Sequence, residues 1–171
     1  LKDKISKMRS ILAKLKKKNP TILATLPEKT GKLKTRFIRI TNLNKDTFLH
    51  LAEVEIFKDG KNIALQGTAT QSSTVYNGVA RLAIDGNTWG DYKEMSVSHT
   101  AKEDNPWLEI DLRKEMEIDS IRIFNRTDNG LAHRLKSFQV VVSDASKSPL
   151  WVSHSKKTPD SLWGKGCALW I

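Results

Sequence analysis

The sequence predicts an all-β sandwich that is preceded by a basic amphipathic α-helix. From Arg36 onward the apolar residues recur with a period of two, and no long helical period follows. Loops rich in Gly, Asn and Asp separate these short runs, a pattern typical of antiparallel strands in a sandwich. Hydrophobic residues make up 39% of the 171 residues, which is enough for a core. No apolar run reaches the roughly 18 residues of a membrane-spanning helix.

Residues 1–19 are predicted to form the helix. Their apolar positions alternate in steps of four and three residues, and lysines flank this stripe. The stripe consists of Leu1, Ile5, Met8, Leu12 and Leu15. The helix ends at Asn19 because Pro20 disfavours the α conformation in the residue before it. So short a helix is not stable alone. We expect residues 1–18 to pack on the rest of the polypeptide, on a protein partner, or on an anionic membrane or nucleic acid.

The formal net charge of +10 is unevenly distributed along the chain. Residues 1–34 contain 11 of the 29 basic residues and only two of the 19 acidic residues. The rest of the chain is therefore almost neutral. A neutral body argues against nucleic acid as a partner. The lack of Trp and Phe in the helical stripe argues against a membrane lipid surface.

The remaining chain divides into a linker at 20–35, a sandwich at 36–155 and a C-terminal tail of unknown role at 156–171. The predicted strands are 36–40, 51–57, 62–65, 107–112, 120–124 and 137–142, with a hairpin turn at Asp59-Gly60. The tail carries Cys167, and a single cysteine excludes an internal disulfide and a zinc site built from cysteines. The chain begins with Leu and shows no signal peptide, so we interpret it as a fragment or a processed chain.

Catalytic signatures are missing from the sequence. It contains no nucleophile elbow, phosphate-binding loop, dinucleotide fingerprint or zinc-protease motif, and its four histidines show no metal-ligand spacing to one another. The sequence therefore predicts a protein that is not an enzyme. Asp85-Gly86-Asn87 places a carboxylate beside a tight turn. That pattern fits either a loop that binds a hard cation such as calcium or an ordinary Asx turn.

Several motifs, taken in their order along the chain, resemble the F5/8 type C, or discoidin, family. They include Ala83-Ile84-Asp85-Gly86-Asn87, Ser96-Val97-Ser98-His99-Thr100, Asn105-Pro106-Trp107-Leu108 and Asn125-Arg126-Thr127-Asp128. Within the family, residues 36–151 are most similar to the fucolectin, or F-type lectin, branch. The resemblance implies a jelly-roll β-sandwich of the galactose-binding-like fold, which binds ligands through loops at one end. Family members are often appended to exported enzymes and surface proteins. The resemblance therefore also implies an extracellular, cell-surface or periplasmic location and a place in a larger polypeptide or assembly.

One departure from the family concerns chain order. In typical fucolectins, two strands like those predicted at 36–40 and 51–57 close the domain at its C-terminus, whereas here they come first. The domain therefore resembles a circular permutation, which costs little when the two ends of a domain lie close together. We expect the first of these strands, at 36–40, to lie at a sheet edge, where it can pair in the same place whether it comes first or last in the chain.

The resemblance also implies a structural calcium ion. In fucolectins the ion is held by the loop that matches residues 83–87, by a serine in the following loop and by the first acid of the C-terminal strand that matches 51–57. Carried over position by position, the side-chain ligands are Asp85, Ser96 and Glu53, and the carbonyl ligands are Leu82, Asn87 and Ala52. Two carboxylates offset the charge of the ion, and the ion would tie distant loops together.

The sugar-binding residues of the fucolectin branch correspond to His99, Arg126 and Arg134. An imidazole and two guanidinium groups can donate hydrogen bonds to sugar hydroxyls and to the ring oxygen. Trp89 or Tyr92 would supply an apolar wall. The resemblance thus implies a non-catalytic module that binds a glycan with a terminal sugar such as fucose or galactose.

A second interpretation stays open, because two features depart from the lectin pattern. The stretch from Asp128 to Arg134 is one residue longer than the common lectin spacing, and the neighbouring lectin cysteines are replaced. Arg126 and Arg134 would then pair with Asp128 and with loop carbonyls. The sandwich would serve as a structural or assembly subunit or as a protein–protein interaction module, with the N-terminal helix docked on a partner. Phospholipid binding, as in some discoidin relatives, needs more exposed apolar loop tips than Trp89 and Tyr92.

Overall fold

The computed structural model describes residues 33–155, which form two antiparallel sheets. The strands are β1 (Leu33–Asn42), β2 (Leu51–Lys58), β3 (Lys61–Asn62), β4 (Thr68–Gln71), β5 (Trp107–Ile118), β6 (Ser120–Asn125), β7 (Phe138–Ser143) and β8 (Pro149–Ser155). Short 3₁₀ helices occupy Ala64–Gln66, Ala80–Ile84, Tyr92–Glu94 and Asp128–Arg134. One sheet has the order β4-β5-β1-β7-β8, and the other has the order β3-β2-β6. The predicted all-β sandwich is confirmed.

Two of the predicted segments lie outside the described residues. They are the helix at 1–19 and the tail at 156–171, together with most of the linker at 20–35. Within residues 33–155, none of the helical segments has the length and apolarity to cross a membrane.

Alternation along the strands separates the core from solvent. In the five-stranded sheet, Ile38 pairs with Ile110 and Ile40 with Leu108, and all four side chains are buried. Arg39 stands between the two isoleucines and is only half-buried, because successive side chains of a strand point to opposite faces. The apolar row therefore packs against the other sheet, while the row that includes Arg39 faces solvent.

The middle strand of the three-stranded sheet is buried on both faces. Val54 of β2 belongs to the main core between the sheets. Glu53, its neighbour in the chain, points the other way and is also fully buried. Phe124, the partner of Glu53 in β6, packs with Ala52 and Val97 in a second apolar cluster. The loop that contains Val97 thus covers the outer face of this sheet and encloses the Glu53 carboxyl group.

β1 is central in its sheet, so the predicted edge position is wrong. It pairs with β5 on one side and with β7 on the other. The alternation of one strand is the same at an edge and in the middle, because pairing depends on residues that are distant in the sequence. β1 also begins at Leu33, inside the predicted linker. The predicted strand at 62–65 is instead the two-residue β3 followed by the 3₁₀ helix Ala64–Gln66. The edge strands β4 and β8 have no counterpart among the predicted strands.

The two ends of the described chain lie at opposite ends of the five-stranded sheet. β1 starts at Leu33, opposite Ile118 of β5. β8 ends at Ser155, opposite Phe138, and Phe138 also pairs with Asn42 at the end of β1. The loop after β1 and the loop before β7 therefore gather at the end of the sheet where β8 stops.

Candidate functional site

His99 is fixed among these loops by its backbone. Its N–H donates to the carbonyl of Gly78 at 2.8 Å, and its carbonyl accepts from the N–H of Val75 at 3.1 Å. Gln71 Nε2 also donates to the carbonyl of Gly78, at 2.9 Å. A Cβ atom at Gly78 would lie 2.5 Å from the Cβ of His99, so only glycine fits there. The loop after β4 is therefore held against the segment that carries His99.

Four rings surround the imidazole of His99, which is only 3% exposed. The ring centres of Phe48, His50, Tyr76 and Tyr92 lie 5.3, 5.2, 5.3 and 5.9 Å from its own. Tyr92 Oη donates to the carbonyl of Tyr76 at 2.8 Å and joins two of the loops. Tyr76 is 66% exposed, so this ring cluster opens to solvent on the side of Tyr76.

The position of the proton on His99 follows from its hydrogen bond. Nδ1 lies 2.8 Å from the carbonyl oxygen of Thr100. Since a carbonyl oxygen only accepts, Nδ1 carries the proton. Burial lowers the pKa of His99, and the charges of Arg126 and Arg134 lower it further, so the ring is neutral at neutral pH. Nε2 is then an acceptor and can receive a hydrogen bond from a hydroxyl group.

Arg126 is bound to Asp128 by two hydrogen bonds. Nε donates to Oδ1 and Nη2 donates to Oδ2, and both side chains are almost fully buried. The guanidinium carbon of Arg126 lies 4.8 Å from the centre of the Tyr92 ring. The hydrogen bonds from Arg126 hold the pKa of Asp128 below its usual range. For Arg126 the loop-bracing interpretation of the sequence therefore holds, and its guanidinium group also faces Tyr92.

Arg134 is held differently. Its guanidinium carbon lies 4.6 Å from the centre of the Phe48 ring, and among residues 33–155 no carboxylate lies within ion-pair distance of it. The longer spacing before Arg134 is accommodated by Asn129 and Gly130, whose left-handed φ angles of 51° and 68° kink the 3₁₀ helix. Because Phe48 also contacts His99, the longer loop keeps Arg134 beside the ring cluster.

The structure brings four of the five predicted sugar-binding residues together. Arg126 stacks on Tyr92, and Tyr92 contacts His99. Arg134 joins them through Phe48, as described above. Trp89 is 46% exposed, and in the described part of the chain it makes none of the ring contacts around His99. Of the two aromatic residues predicted to face a sugar, Tyr92 therefore belongs to the ring cluster and Trp89 lies outside it.

Three members of the ring cluster were missed by the sequence reasoning, namely Phe48, His50 and Tyr76. Leu49 exchanges two hydrogen bonds with Thr100, from its N–H to Oγ1 at 2.8 Å and from the Thr100 N–H to its carbonyl at 3.0 Å. This exchange places Phe48 and His50 beside His99. No local pattern signals a contact between segments so far apart in the chain. For Tyr76 the only available signal is the tight turn that follows it.

His50 is the most deeply enclosed titratable group of the ring cluster. It is 1% exposed, and neither ring nitrogen has a hydrogen-bond partner among the described residues. Burial lowers the pKa of His50 to about 3, and the charges of His99, Arg126 and Arg134 act in the same direction. Both imidazoles are therefore neutral at neutral pH, and the positive charge of the cluster comes from its two arginines.

The predicted calcium ligands Glu53 and Asp85 are neighbours in the structure. Glu53 Oε2 accepts from the N–H of Asp85 at 3.1 Å, and Asp85 Oδ1 accepts from the N–H of Asn87 at 2.8 Å in an Asx turn. Glu53 Oε1 is buried without a hydrogen-bond partner among the described residues. Burial raises the pKa of Glu53 to about 8. A buried acceptor oxygen without a donor fits a site for a cation.

The other predicted calcium ligands lie on the segments around this pair. Ser96 is buried, and its Oγ lies within hydrogen-bond distance of the carbonyl oxygens of Trp89 and Asp91, at 2.5 and 2.9 Å; its single O–H donates to one of them at a time. Ala52 lies at the irregularity where β2 and β6 change register, and Leu82 lies in the 3₁₀ helix that leads into the loop. Within residues 33–155 no group of three or more His, Cys, Asp or Glu side chains is placed to hold a metal. A cation here would depend on hydroxyl and carbonyl oxygens as well as on carboxylates.

The sequence matches known proteins over part of its length. A family model described as a NedA-like, galactose-binding domain matches residues 82–162. Fucolectin-5 of Anguilla japonica is 42% identical over 73 residues, which are 40% of this chain and 39% of that protein. The pentraxin fusion protein of Xenopus laevis is 39% identical over 71 residues, which are 40% of this chain and 17% of that protein. The chain thus spans about two fifths of the length of the fucolectin.

Two solved structures share the fold over most of their length. The lectin domain of lectinolysin, complexed with Lewis B antigen, is 35% identical with a TM-score of 0.62, and the match covers 67% of this chain and 77% of that one. The fucose-binding module SpX-3 of Streptococcus pneumoniae is 40% identical with a TM-score of 0.56, and the match covers 65% of this chain and 76% of that one.

Proposed function

Because the chain belongs to the F5/8 type C family of galactose-binding-like domains, on its fucolectin branch, we propose that it is a non-catalytic carbohydrate-binding module. The observation that carries the proposal is the ring cluster, in which His99, Arg126 and Arg134 meet aromatic rings among the end loops. The lectinolysin domain was solved with Lewis B antigen, and SpX-3 is a fucose-binding module. These two neighbours support a fucose-containing glycan as the partner.

A terminal fucose or galactose-like sugar suits the groups of the ring cluster. His99 Nε2 accepts a hydrogen bond from one sugar hydroxyl, while Arg134 donates to a second hydroxyl or to the ring oxygen. Arg126 has only its remaining N–H groups to offer, since Asp128 takes two of them. Tyr92 provides an aromatic face for the apolar side of the sugar. A single sugar makes few contacts and must be desolvated, so we expect a Kd on the order of 0.1–1 mM per site.

The proposed module contains a structural calcium site at Glu53 and Asp85. The support is the buried Glu53 Oε1, which has no partner among the described residues, and the Asp85 backbone that already meets the other carboxyl oxygen. Ser96 and the carbonyls of Leu82, Asn87 and Ala52 complete the proposed ligand set. When bound, the ion would supply positive charge between β2 and the loop that contains Val97. Ser96, one of the proposed ligands, contacts the carbonyl oxygens of Trp89 and Asp91 and so helps to fix the loop that carries Trp89 and Tyr92.

The proposed location follows from the proposed partner. Glycans with terminal fucose or galactose are displayed on surfaces and secreted molecules, so we place the module outside the cell, at the cell surface or in the periplasm. A protein partner that docks on residues 1–18 remains part of the proposal, as does membership in a larger polypeptide or assembly. Neither nucleic acid nor membrane lipid is a proposed partner.

A glycan array probed with the calcium-loaded chain tests the function. We expect binding to glycans that end in fucose or a galactose-like sugar, and loss of that binding in Arg134→Ala. The matched control is Arg36→Ala, which removes an arginine from the outer face of the five-stranded sheet, where it pairs with Asp111. The melting temperature of Arg134→Ala should stay close to that of the wild type, because Arg134 makes no ion pair among the described residues.

Two results would refute the carbohydrate proposal. One is the absence of binding to any glycan at millimolar concentration with calcium present. The other is equal binding by the wild type and Arg134→Ala, together with weaker binding by Arg36→Ala. The assembly interpretation would then be tested by the size of the chain in solution with and without residues 1–20.

A further inference from the structure

Two Asn-Gly pairs lie in the loops, Asn77-Gly78 and Asn129-Gly130; both asparagines are exposed, whereas Gly78 is buried and Gly130 is exposed. In such a pair the backbone nitrogen of glycine can attack the side-chain carbonyl carbon of asparagine, because glycine has no Cβ to obstruct the approach. We propose that Asn129 is a site of spontaneous deamidation and that its conversion weakens sugar binding by the neighbouring arginines. The second half of this statement rests on the proposed function, and the first half does not.

The fold protects Asn77 from this reaction. The N–H of Gly78 donates to the carbonyl of Val75 at 3.0 Å, and the carbonyl of Gly78 accepts from the His99 N–H. Gly78 is buried, and the position of a Cβ on it would lie 2.5 Å from the Cβ of His99. The attacking nitrogen is therefore engaged, and its peptide group has no room to rotate. Conversion at Asn77 requires the loop to detach from His99.

No such enclosure surrounds the second pair. Asn129 and Gly130 are both exposed, and no atom lies within 4 Å of the position of a Cβ on Gly130. Asn129 has a left-handed φ angle, as Asn77 also does, so the two pairs differ in the surroundings of the glycine and not in strain at the asparagine. The carbonyl of Gly130 lies 2.7 Å from Nδ1 of the exposed His133, which can move with the loop, and no packed atom beside Gly130 obstructs rotation of its peptide group. The structure favours conversion at Asn129 over Asn77.

The chemistry needs only water. The nitrogen of Gly130 forms a bond to Cγ of Asn129, and the side-chain amide leaves as ammonia with the proton from the backbone N–H. This gives a five-membered succinimide. Water then opens either C–N bond of the ring and yields aspartate or isoaspartate. The net change is one water consumed and one ammonia released.

The product would alter the support of Arg126. Asn129 Nδ2 now donates to Asp128 Oδ2 at 2.8 Å, beside the bond from Arg126 Nη2 to the same oxygen. A carboxylate at position 129 would face the Asp128 carboxylate, and like charges at this separation repel. Isoaspartate would also add a methylene to the backbone between Arg126 and Arg134. We expect the converted chain to bind the sugar about tenfold more weakly, a free-energy change of about 1.4 kcal/mol.

Peptide mapping by mass spectrometry tests the modification. The full chain is incubated in mildly alkaline buffer, and samples are digested over time. We expect the peptide with Asn129 to gain the mass that replaces an amide by an acid, while the peptide with Asn77 stays unchanged. In denaturant both pairs should convert at similar rates, because the difference is attributed to the fold. Asn129→Gln should resist conversion, so its sugar affinity at the end of the incubation should equal its own affinity at the start.

The results that overturn the proposal are distinct from those that overturn the function. Conversion of Asn77 as fast as Asn129 in the folded chain, or conversion of both only in denaturant, refutes the assignment of the site. Asn129→Asp that binds fucose as tightly as the wild type, with an unchanged melting temperature, refutes the coupling to sugar binding. If the fresh wild type binds no sugar, the proposed function fails, whereas the mass measurement still decides the modification.

Discussion

Arg126 and Asp128 form an ion pair with two hydrogen bonds, from Nε to Oδ1 at 2.6 Å and from Nη2 to Oδ2 at 2.7 Å, between side chains that are 7% and 9% exposed. Asp128 Oδ1 also accepts from the N–H of Tyr92 at 3.3 Å. The pair therefore links the loop after β6 to the loop that carries Tyr92. Arg126 has a structural role in addition to its proposed contact with the sugar.

Arg126→Ala should destabilise the fold. The substitution leaves the Asp128 carboxylate buried without its partner, which costs about 2–4 kcal/mol of unfolding free energy. Urea denaturation measures the change. Arg36→Ala breaks a more exposed ion pair with Asp111, which solvent screens, and should shift the midpoint less than Arg126→Ala does. Equal midpoints for Arg126→Ala and the wild type would show that Arg126 does not brace the loops.

The contribution of this ion pair should disappear in acid. Hydrogen bonds from Arg126 lower the pKa of Asp128 in the folded state below its ordinary 3.8. A lowered carboxyl pKa stabilises the fold above the unfolded value, and the contribution is lost as the pH falls through the folded value. Asp128→Asn should therefore melt below the wild type at neutral pH, and the gap should narrow at pH values below about 4. A gap that stays constant down to strong acid contradicts this account.

Calcium removal should lower the melting temperature. A ligand present at about a hundredfold above its Kd stabilises the folded state by about 2.7 kcal/mol, and chelation withdraws that amount. Asp85→Ala and Glu53→Gln should melt at the same temperature with and without chelator, because each removes a proposed ligand. Glu94→Ala, which removes an exposed carboxylate from the same loop, should stay sensitive. If the wild type melts identically with and without chelator, the calcium proposal fails.

Deletion of residues 1–31 should leave sugar binding unchanged. β1 starts at Leu33 opposite Ile118, at the end of the five-stranded sheet away from the pairing of Asn42 with Phe138. The described strands all belong to the compact unit Lys32–Ile171. Affinity for a fucose-bearing glycan, measured by calorimetry on the full and shortened chains, checks this. A large loss of affinity in a shortened chain with unchanged melting would assign residues 1–31 to the binding site.

Much of the fold could be predicted because each strand carries its own signal. The alternation of Ile38 and Ile40 with Arg39 marks one buried and one solvated face, and that signal depends on neighbouring residues only. The candidate site could be predicted in part for a different reason, since the motifs that hold His99, Arg126 and Asp85 match a family. Neither kind of signal reports which residues far apart in the sequence contact one another. The central position of β1 and the presence of Phe48, His50 and Tyr76 in the ring cluster were therefore missed.

The sequence by itself determined an all-β chain with a basic N-terminal segment and a nearly neutral body, and it named residues that match the fucolectin pattern. Only the tertiary structure decided what the two arginines contact. Arg126 and Arg134 look alike in the sequence, yet Arg126 meets the Asp128 carboxylate and Arg134 meets the ring of Phe48. The physical reason is that Phe48 reaches the site through the exchange of hydrogen bonds between Leu49 and Thr100. This contact joins two loops whose residues are 51 positions apart in the sequence, and no local pattern records it.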